Sequence, residues 1–155
     1  MFYICYLMNF VEFAHVVFRE MGSEEIEEIM DLEDEIFGRS VFIELSMLPV
    51  HKKVLVADVG EIAGFAIVYW DESGFYLGAL GVKEEYRGKG IGRELVKRCV
   101  EFAKKKGYNT VWLEVNVDNE KAIEIYKNIG FRIEETIKHF YGIGKHAYRM
   151  VYVDK

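Results

Sequence analysis

Between Lys53 and Val82 the chain reads "KVLVADVGEIAGFAIVYWDESGFYLGALGV", three β-rich runs separated by Val59-Gly60-Glu61 and Asp71-Glu72-Ser73-Gly74. Runs rich in β-branched and aromatic residues, divided by turn formers, predict an antiparallel meander. Upstream, "HVVFREM" predicts one more strand, after which Ile26, Ile29, Met30, Glu33, Ile36 and Phe37 recur at helical spacing. Ser23 stands in capping position before Glu24 and Glu25, and Gly38 stands where that helix should stop. "VFIELSMLP" predicts a short second helix closed by Pro49, with no clear cap.

Downstream of the meander the period becomes helical again, with Ile91, Leu95, Val96, Cys99, Phe102 and Ala103 on one face of a helix ending at Gly107. "NTVWLEV" then predicts a strand, "DNEKAIEIYKNIGF" a helix capped by Asp118 or Asn119 and stopped by Gly130, and "HAYRMVYV" a last strand. The order β-αα-βββ-α-β-α-β places hairpins first and helix crossovers after them. It predicts an α/β fold with a central mixed, mostly antiparallel sheet flanked by helices. A strand that follows a helix crossover runs parallel to the strand before it, which sets Leu80-Gly81-Val82 beside Leu113-Glu114-Val115. Alternation along "TVWLEV" puts Glu114 on one face with Trp112, and Val111, Leu113 and Val115 on the other.

A chain of 155 residues with 51% hydrophobic residues and one proline has the size and content of a single domain. Residues 1–10 read as an N-terminal extension, with Met8 an alternative start, and residues 11–155 as the domain. The apolar opening is interrupted by Asn9, Glu12 and His15 and lacks a basic start and a small-residue cleavage site, so neither a spanning helix nor a signal peptide is expected. A cytoplasmic protein without a membrane partner, monomeric or homodimeric, is the expectation. Cys5 and Cys99 make no disulfide framework, and no histidine pair or CxxC accompanies them, so no metal is expected.

Net charge is −6, which argues against general affinity for nucleic acid, but its distribution is uneven. Residues 22–61 carry eleven acids and three bases, whereas residues 83–106 carry nine bases and four acids. The basic stretch contains "YRGKGIGRELV", in which Gly88, Gly90 and Gly92 alternate at a predicted helix mouth among Arg87, Lys89 and Arg93. Glycine lets backbone N–H groups approach a ligand, and the free N–H groups of a first helical turn attract anions, so a pyrophosphate pocket is one reading. A glycine-rich turn that merely packs is the other, and spacing alone weighs the two equally. The spacing is G-x-G-x-G after a meander, not the G-x-G-x-x-G of a first βα unit. Lys89 is followed by Gly90 rather than Ser or Thr, which removes a P-loop.

The run Arg87-Gly88-Lys89-Gly90-Ile91-Gly92 resembles the R/Q-x-x-G-x-G/A signature of the Gcn5-related N-acetyltransferases (GNAT). "NVDNEKAIEIYKNIGF" resembles the second motif of that superfamily. With the agreeing element order, the resemblance covers residues 16–153. It implies acetyl-CoA as cosubstrate and no metal. Main-chain groups of Leu80 and Val82 would meet the pantetheine arm, N–H groups from Arg87 through Gly92 (Arg87, Gly88, Lys89, Gly90, Ile91, Gly92) would hold the pyrophosphate, and Arg93 would add charge. Asn119 would touch the arm from the other side.

"WLEV…N…AI..Y...GF" is similar to the RimI-type ribosomal-protein alanine N-acetyltransferases and their archaeal relatives, which implies Glu114 as base and Tyr126 as acid. From spacing alone, an edge-of-sheet charge and a core tyrosine are the favoured readings of those two. As a base, Glu114 would have to be raised by burial beside Trp112. "ETIKHFYGIGKHAYRM" resembles the tail of protein N-terminal acetyltransferases, implying that His139, Phe140 and Tyr141 lie against an acceptor peptide, with Phe37 on the opposite wall. The implied acceptor is a protein or peptide N-terminal α-amine. The alternatives are a lysine side chain or small amine and, from another class, a non-catalytic acetyl-CoA sensor.

Overall fold

The meander forms as β2 (His51–Asp58), β3 (Ile62–Asp71) and β4 (Gly74–Val82), hydrogen-bonded antiparallel along their lengths. A computed structural model describes residues 15–155. The N-terminal extension, Cys5 and the start at Met8 lie outside the described residues. Before the meander come β1 (Val17–Glu20), α1 (Ile26–Phe37) and α2 (Val41–Ser46). After it come α3 (Ile91–Lys105), β5 (Thr110–Asn116), α4 (Glu120–Ile129) and a closing hairpin, β6 (Arg132–Ile137) and β7 (Ala147–Val153).

β6 is absent from the predicted order. It is the outermost strand of the sheet β1-β2-β3-β4-β5-β7-β6, and "RIEETI" is exposed along nearly its whole length. An edge strand that buries neither face carries charge rather than alternation, so its sequence lacks the period-2 signal. Among the described residues only β4 and β5 pair in parallel.

Helix boundaries follow local chemistry that partly departs from expectation. Ser23 does not cap α1; residues Ser23–Glu25 form a 3-10 turn, and the Glu25 carboxylate accepts the Gly22 N–H at 2.8 Å. Arg19 clamps the same carboxylate at 2.7 and 2.9 Å, and with the Gly22 bond lowers Glu25 to about 2. Gly38 does stop α1, in the left-handed conformation at φ 70°. α2 has the cap its sequence did not reveal: the Ser40 hydroxyl accepts the Ile43 N–H at 3.2 Å. Ser40 in turn donates to the fully buried Glu33 of α1 at 2.7 Å.

The sheet separates two cores. α1 and α2 cover one face, where Ile29, Leu32, Val41 and Leu45 pack on Val56, Phe65 and Ile67. α3 and α4 cover the other, where Leu95, Val96, Cys99 and Tyr126 pack with Phe75, Val111, Leu113 and Met150. Cys99 is the buried thiol expected, and burial pushes it up to about 12. No helix of the described residues is long and apolar enough to cross a membrane.

Candidate active site

β4 and β5 share one ladder position, Tyr76 opposite Trp112, and beyond it they are unpaired. The expected apposition of Leu80-Gly81-Val82 with Leu113-Glu114-Val115 is therefore not formed: the register is offset, and a gap opens through the sheet instead. Backbone groups alternate sides along a strand. Because the Lys83 N–H donates to the Ala63 carbonyl on β3, Gly81 also faces β3, and the backbone groups of Leu80 and Val82 face the gap. The Val82 carbonyl is engaged there, accepting from Arg87 Nε at 2.9 Å.

The glycine turn lies between β4 and α3. Gly88 and Gly90 have φ of 77° and 84°, and no atom lies within 4 Å of where a Cβ would stand on either, so both border open space. Gly92 differs. It is buried in the first turn of α3, and a Cβ there would meet Val82 Cγ2 at 3.6 Å. Arg87 N–H donates to the Glu84 carbonyl at 3.2 Å and Glu94 N–H to Gly90 at 3.0 Å. Among the described residues, the N–H groups of Gly88, Gly90, Ile91, Gly92 and Arg93 donate to no backbone carbonyl, whereas that of Arg87 does. Lys89 sits 5.9 Å over the Tyr86 ring, beside this cradle.

Glu114 and Tyr126 lie on opposite faces of the sheet. Glu114 shares its face of β5 with half-buried Trp112, while Val111, Leu113 and Val115 are buried on the other, as alternation predicted. Its expected apolar enclosure is not found. Arg149, the Cα partner of Glu114 on β7, donates to Glu114 Oε1 from Nε at 3.3 Å and Nη2 at 3.2 Å, so an ion pair replaces the apolar wall. Tyr126 rises from α4 on the other face, buried in the core against Phe131 at 5.7 Å. Its hydroxyl has no hydrogen-bond partner among the described residues, yet no buried side-chain oxygen or nitrogen there lacks one. The hydroxyl therefore opens onto solvent-accessible space. Burial above all, then Tyr141 and Cys99, raises the phenol well above the usual tyrosine range.

Residues 18–131 match the acetyltransferase (GNAT) family. The chain belongs to the GNAT acetyltransferase family. It is 34% identical over 110 residues to an N-alpha-acetyltransferase of Sulfurisphaera tokodaii, covering 61% of this chain and 65% of that protein. It is 37% identical over 84 residues to the [ribosomal protein bS18]-alanine N-acetyltransferase of Escherichia coli K12, covering 53% of this chain and 55% of that protein. A streptothricin acetyltransferase of Streptomyces lavendulae is 38% identical over 81 residues, covering 50% and 42%. The chain thus spans between 42% and 65% of the length of these relatives. Among solved structures, Arabidopsis thaliana NAA60 in complex with acetyl-CoA superposes with a TM-score of 0.75 at 22% identity, covering 89% of this chain and 98% of that one.

Of the residues expected to face an acceptor, Phe37, Phe140 and Tyr141 lie on the α1/α2 face. The β6–β7 loop brings Tyr141 close to Glu114; burial first, then the Glu114 carboxylate, raises its phenol, while Arg39 lowers it. Phe140 packs edge-on to Tyr141 at 4.9 Å, and Phe37 stands at the end of α1, edge-on to Phe65 at 6.5 Å. His139 has a local task. At φ 60°, its N–H donates to His146 Nδ1 and its own Nδ1 accepts the Gly144 N–H, both at 2.9 Å, tying the loop to itself. Asn119 caps α4, its Oδ1 accepting the Ala122 N–H at 3.3 Å, which leaves its amide NH2 for another partner.

Two neighbours of Glu114 are missing from the sequence-predicted site: Arg149 and Tyr69. Tyr69, stacked on Tyr76 at 4.9 Å, is raised to about 12 by burial first and Glu114 second. Only the strand register, which a single sequence does not print, would have brought them in. Among the described residues no group of three or more His, Cys, Asp or Glu side chains is placed to hold a metal.

Proposed function

We propose that the protein transfers the acetyl group of acetyl-CoA to the N-terminal α-amine of a protein or peptide, by direct attack in a ternary complex. The gap between β4 and β5 carries this reading. It is supported by a glycine turn bordering open space after β4, a carboxylate on one face of β5 and a buried phenol on the other side of the sheet.

Bound acetyl-CoA supplies an activated acetyl group and a thiol leaving group. The N–H groups of residues 88–93, with Lys89 and Arg93, hold its phosphates, and the Leu80 and Val82 backbone takes the arm. Glu114 removes the amine proton. An α-amine, with a pKa near 7.7, is already neutral to about a tenth or more at pH 7, against well under a thousandth of a lysine amine, which eases the demand on a carboxylate paired with Arg149. Tyr126, held neutral by burial, serves by hydrogen-bonding the departing sulfur rather than by releasing its proton. Tyr141, Phe140 and Phe37 line the acceptor's path, which suits a peptide backbone with side chains to hold.

The likeness to an antibiotic acetyltransferase supports a second reading, a small-molecule amine as acceptor. Turnover measured against peptides varying in their first two residues, N-terminally blocked lysine peptides, spermidine and streptothricin separates the two. Acetylation of free N-termini with kcat/KM at least tenfold above the rest supports the first. Turnover confined to blocked peptides or small amines replaces it.

A further inference from the structure

Arg149 sits between two carboxylates on one face of the sheet, being the Cα partner of Glu114 on β5 and of Glu135 on β6. Its three donor nitrogens are divided unequally. Nη1 is tied to Glu135 at 2.8 Å, while Nε and Nη2 converge on the same oxygen of Glu114, Oε1, at 3.3 and 3.2 Å. A fork-to-fork pair would use both carboxylate oxygens. Here Oε2 of Glu114 accepts no hydrogen bond among the described residues.

We propose that Arg149 is a positioning residue for Glu114: it anchors one carboxylate oxygen and so presents the other to the acceptor amine. The inference rests on Glu114 being the base. Stability is a poor explanation for the arrangement, because the three side chains are 22%, 38% and 53% exposed and ion pairs this accessible contribute little. Orientation is what the geometry supplies. Glu135 fixes the far end of the guanidinium, so Arg149 cannot swing away, and a carboxylate with one oxygen pinned keeps the other in a narrow arc. The other polar groups facing this carboxylate are the Tyr69 and Tyr141 phenols, with Arg39 near Tyr141, and the carboxylate raises both phenols.

The test compares R149M, R149K, E135Q, E114Q and the double variant E114Q/R149M in the full chain. R149M is expected to lower kcat about 10- to 100-fold, the scale of a misplaced reacting group, with the KM for acetyl-CoA within about twofold of the parent. R149K, keeping charge without the fork, recovers part of the loss, and E135Q shows a smaller loss of the same kind. In the E114Q background R149M costs nothing further. Calorimetric affinity of an acceptor peptide for the CoA-saturated enzyme stays within about threefold, and the melting temperature falls by no more than about 3 °C, as for an exposed pair. A kcat within twofold of the parent in R149M, or an equal loss in the E114Q background, overturns the positioning role and leaves the base reading intact. Unchanged kcat in E114Q overturns both.

Discussion

The carboxylate of Glu33, in α1, accepts the backbone N–H of Val41, the first residue of α2, at 2.8 Å while itself fully buried. One helix thus supplies part of the other's cap, and the corner between them carries Phe37 to the proposed acceptor side. Burial raises Glu33, and the bonds from Ser40, Val41 and Phe42 oppose that rise. Glu33→Ala leaves those donors unsatisfied and should cost about 2–4 kcal/mol in urea unfolding. In steady-state kinetics it should raise the KM of the acceptor more than that of acetyl-CoA. Equal effects on both would show that the corner does not serve the acceptor.

The three alternating glycines are not equivalent. Gly88→Ala and Gly90→Ala force a side chain into the left-handed region, at about 1–2 kcal/mol each, and place a methyl group in the open cradle. Both should raise the KM for acetyl-CoA about tenfold or more. Gly92→Ala should raise the melting temperature, since Ala gains about 0.5–1 kcal/mol over Gly inside a helix and the site offers ordinary contacts. Equal KM effects at all three positions would refute this division.

Tyr126→Phe should retain more activity than Glu114→Gln. Losing one hydrogen bond of about 0.5–1.5 kcal/mol costs roughly 2- to 13-fold in kcat, whereas losing a general base costs about 10²–10⁴-fold. A phenol raised by burial is a poor proton donor, so the larger loss at Tyr126 would mean that proton transfer, not hydrogen bonding, is its task.

Acid should expose the Arg19–Glu25 clamp. Glu25 lies at about 2 in the folded chain against 4.5 ordinarily, so its contribution is fully present above pH 4.5 and is lost as pH falls toward 2. Thermal melts of Glu25→Gln should therefore lie below the parent at neutral pH and approach it between pH 4.5 and 2. Parallel curves through that window would deny the linkage.

Local signals made most of this molecule legible. The meander, both crossovers and the Gly38, Gly107 and Gly130 stops follow from period and turn chemistry, and the GNAT motifs pointed to the family that the family match shows. β6 was invisible because an exposed edge strand needs no alternation. Ser40 was missed as a cap because the third position of this six-residue helix is Ile43, not the Glu or Gln of a capping box. At the candidate site, Glu114 and Tyr126 were readable as residues, but the ionic surroundings of Glu114 were not. Arg149 is 35 positions away in the chain and becomes its neighbour only through the β5–β7 register.

The paired imidazoles of the β6–β7 loop turn that loop into its own reporter. Since each Nδ1 accepts a backbone N–H, both rings carry their proton on Nε2 while the loop is closed. Two nitrogen resonances thus record, in one spectrum, whether the segment bearing Phe140 and Tyr141 keeps its shape when a candidate acceptor is added.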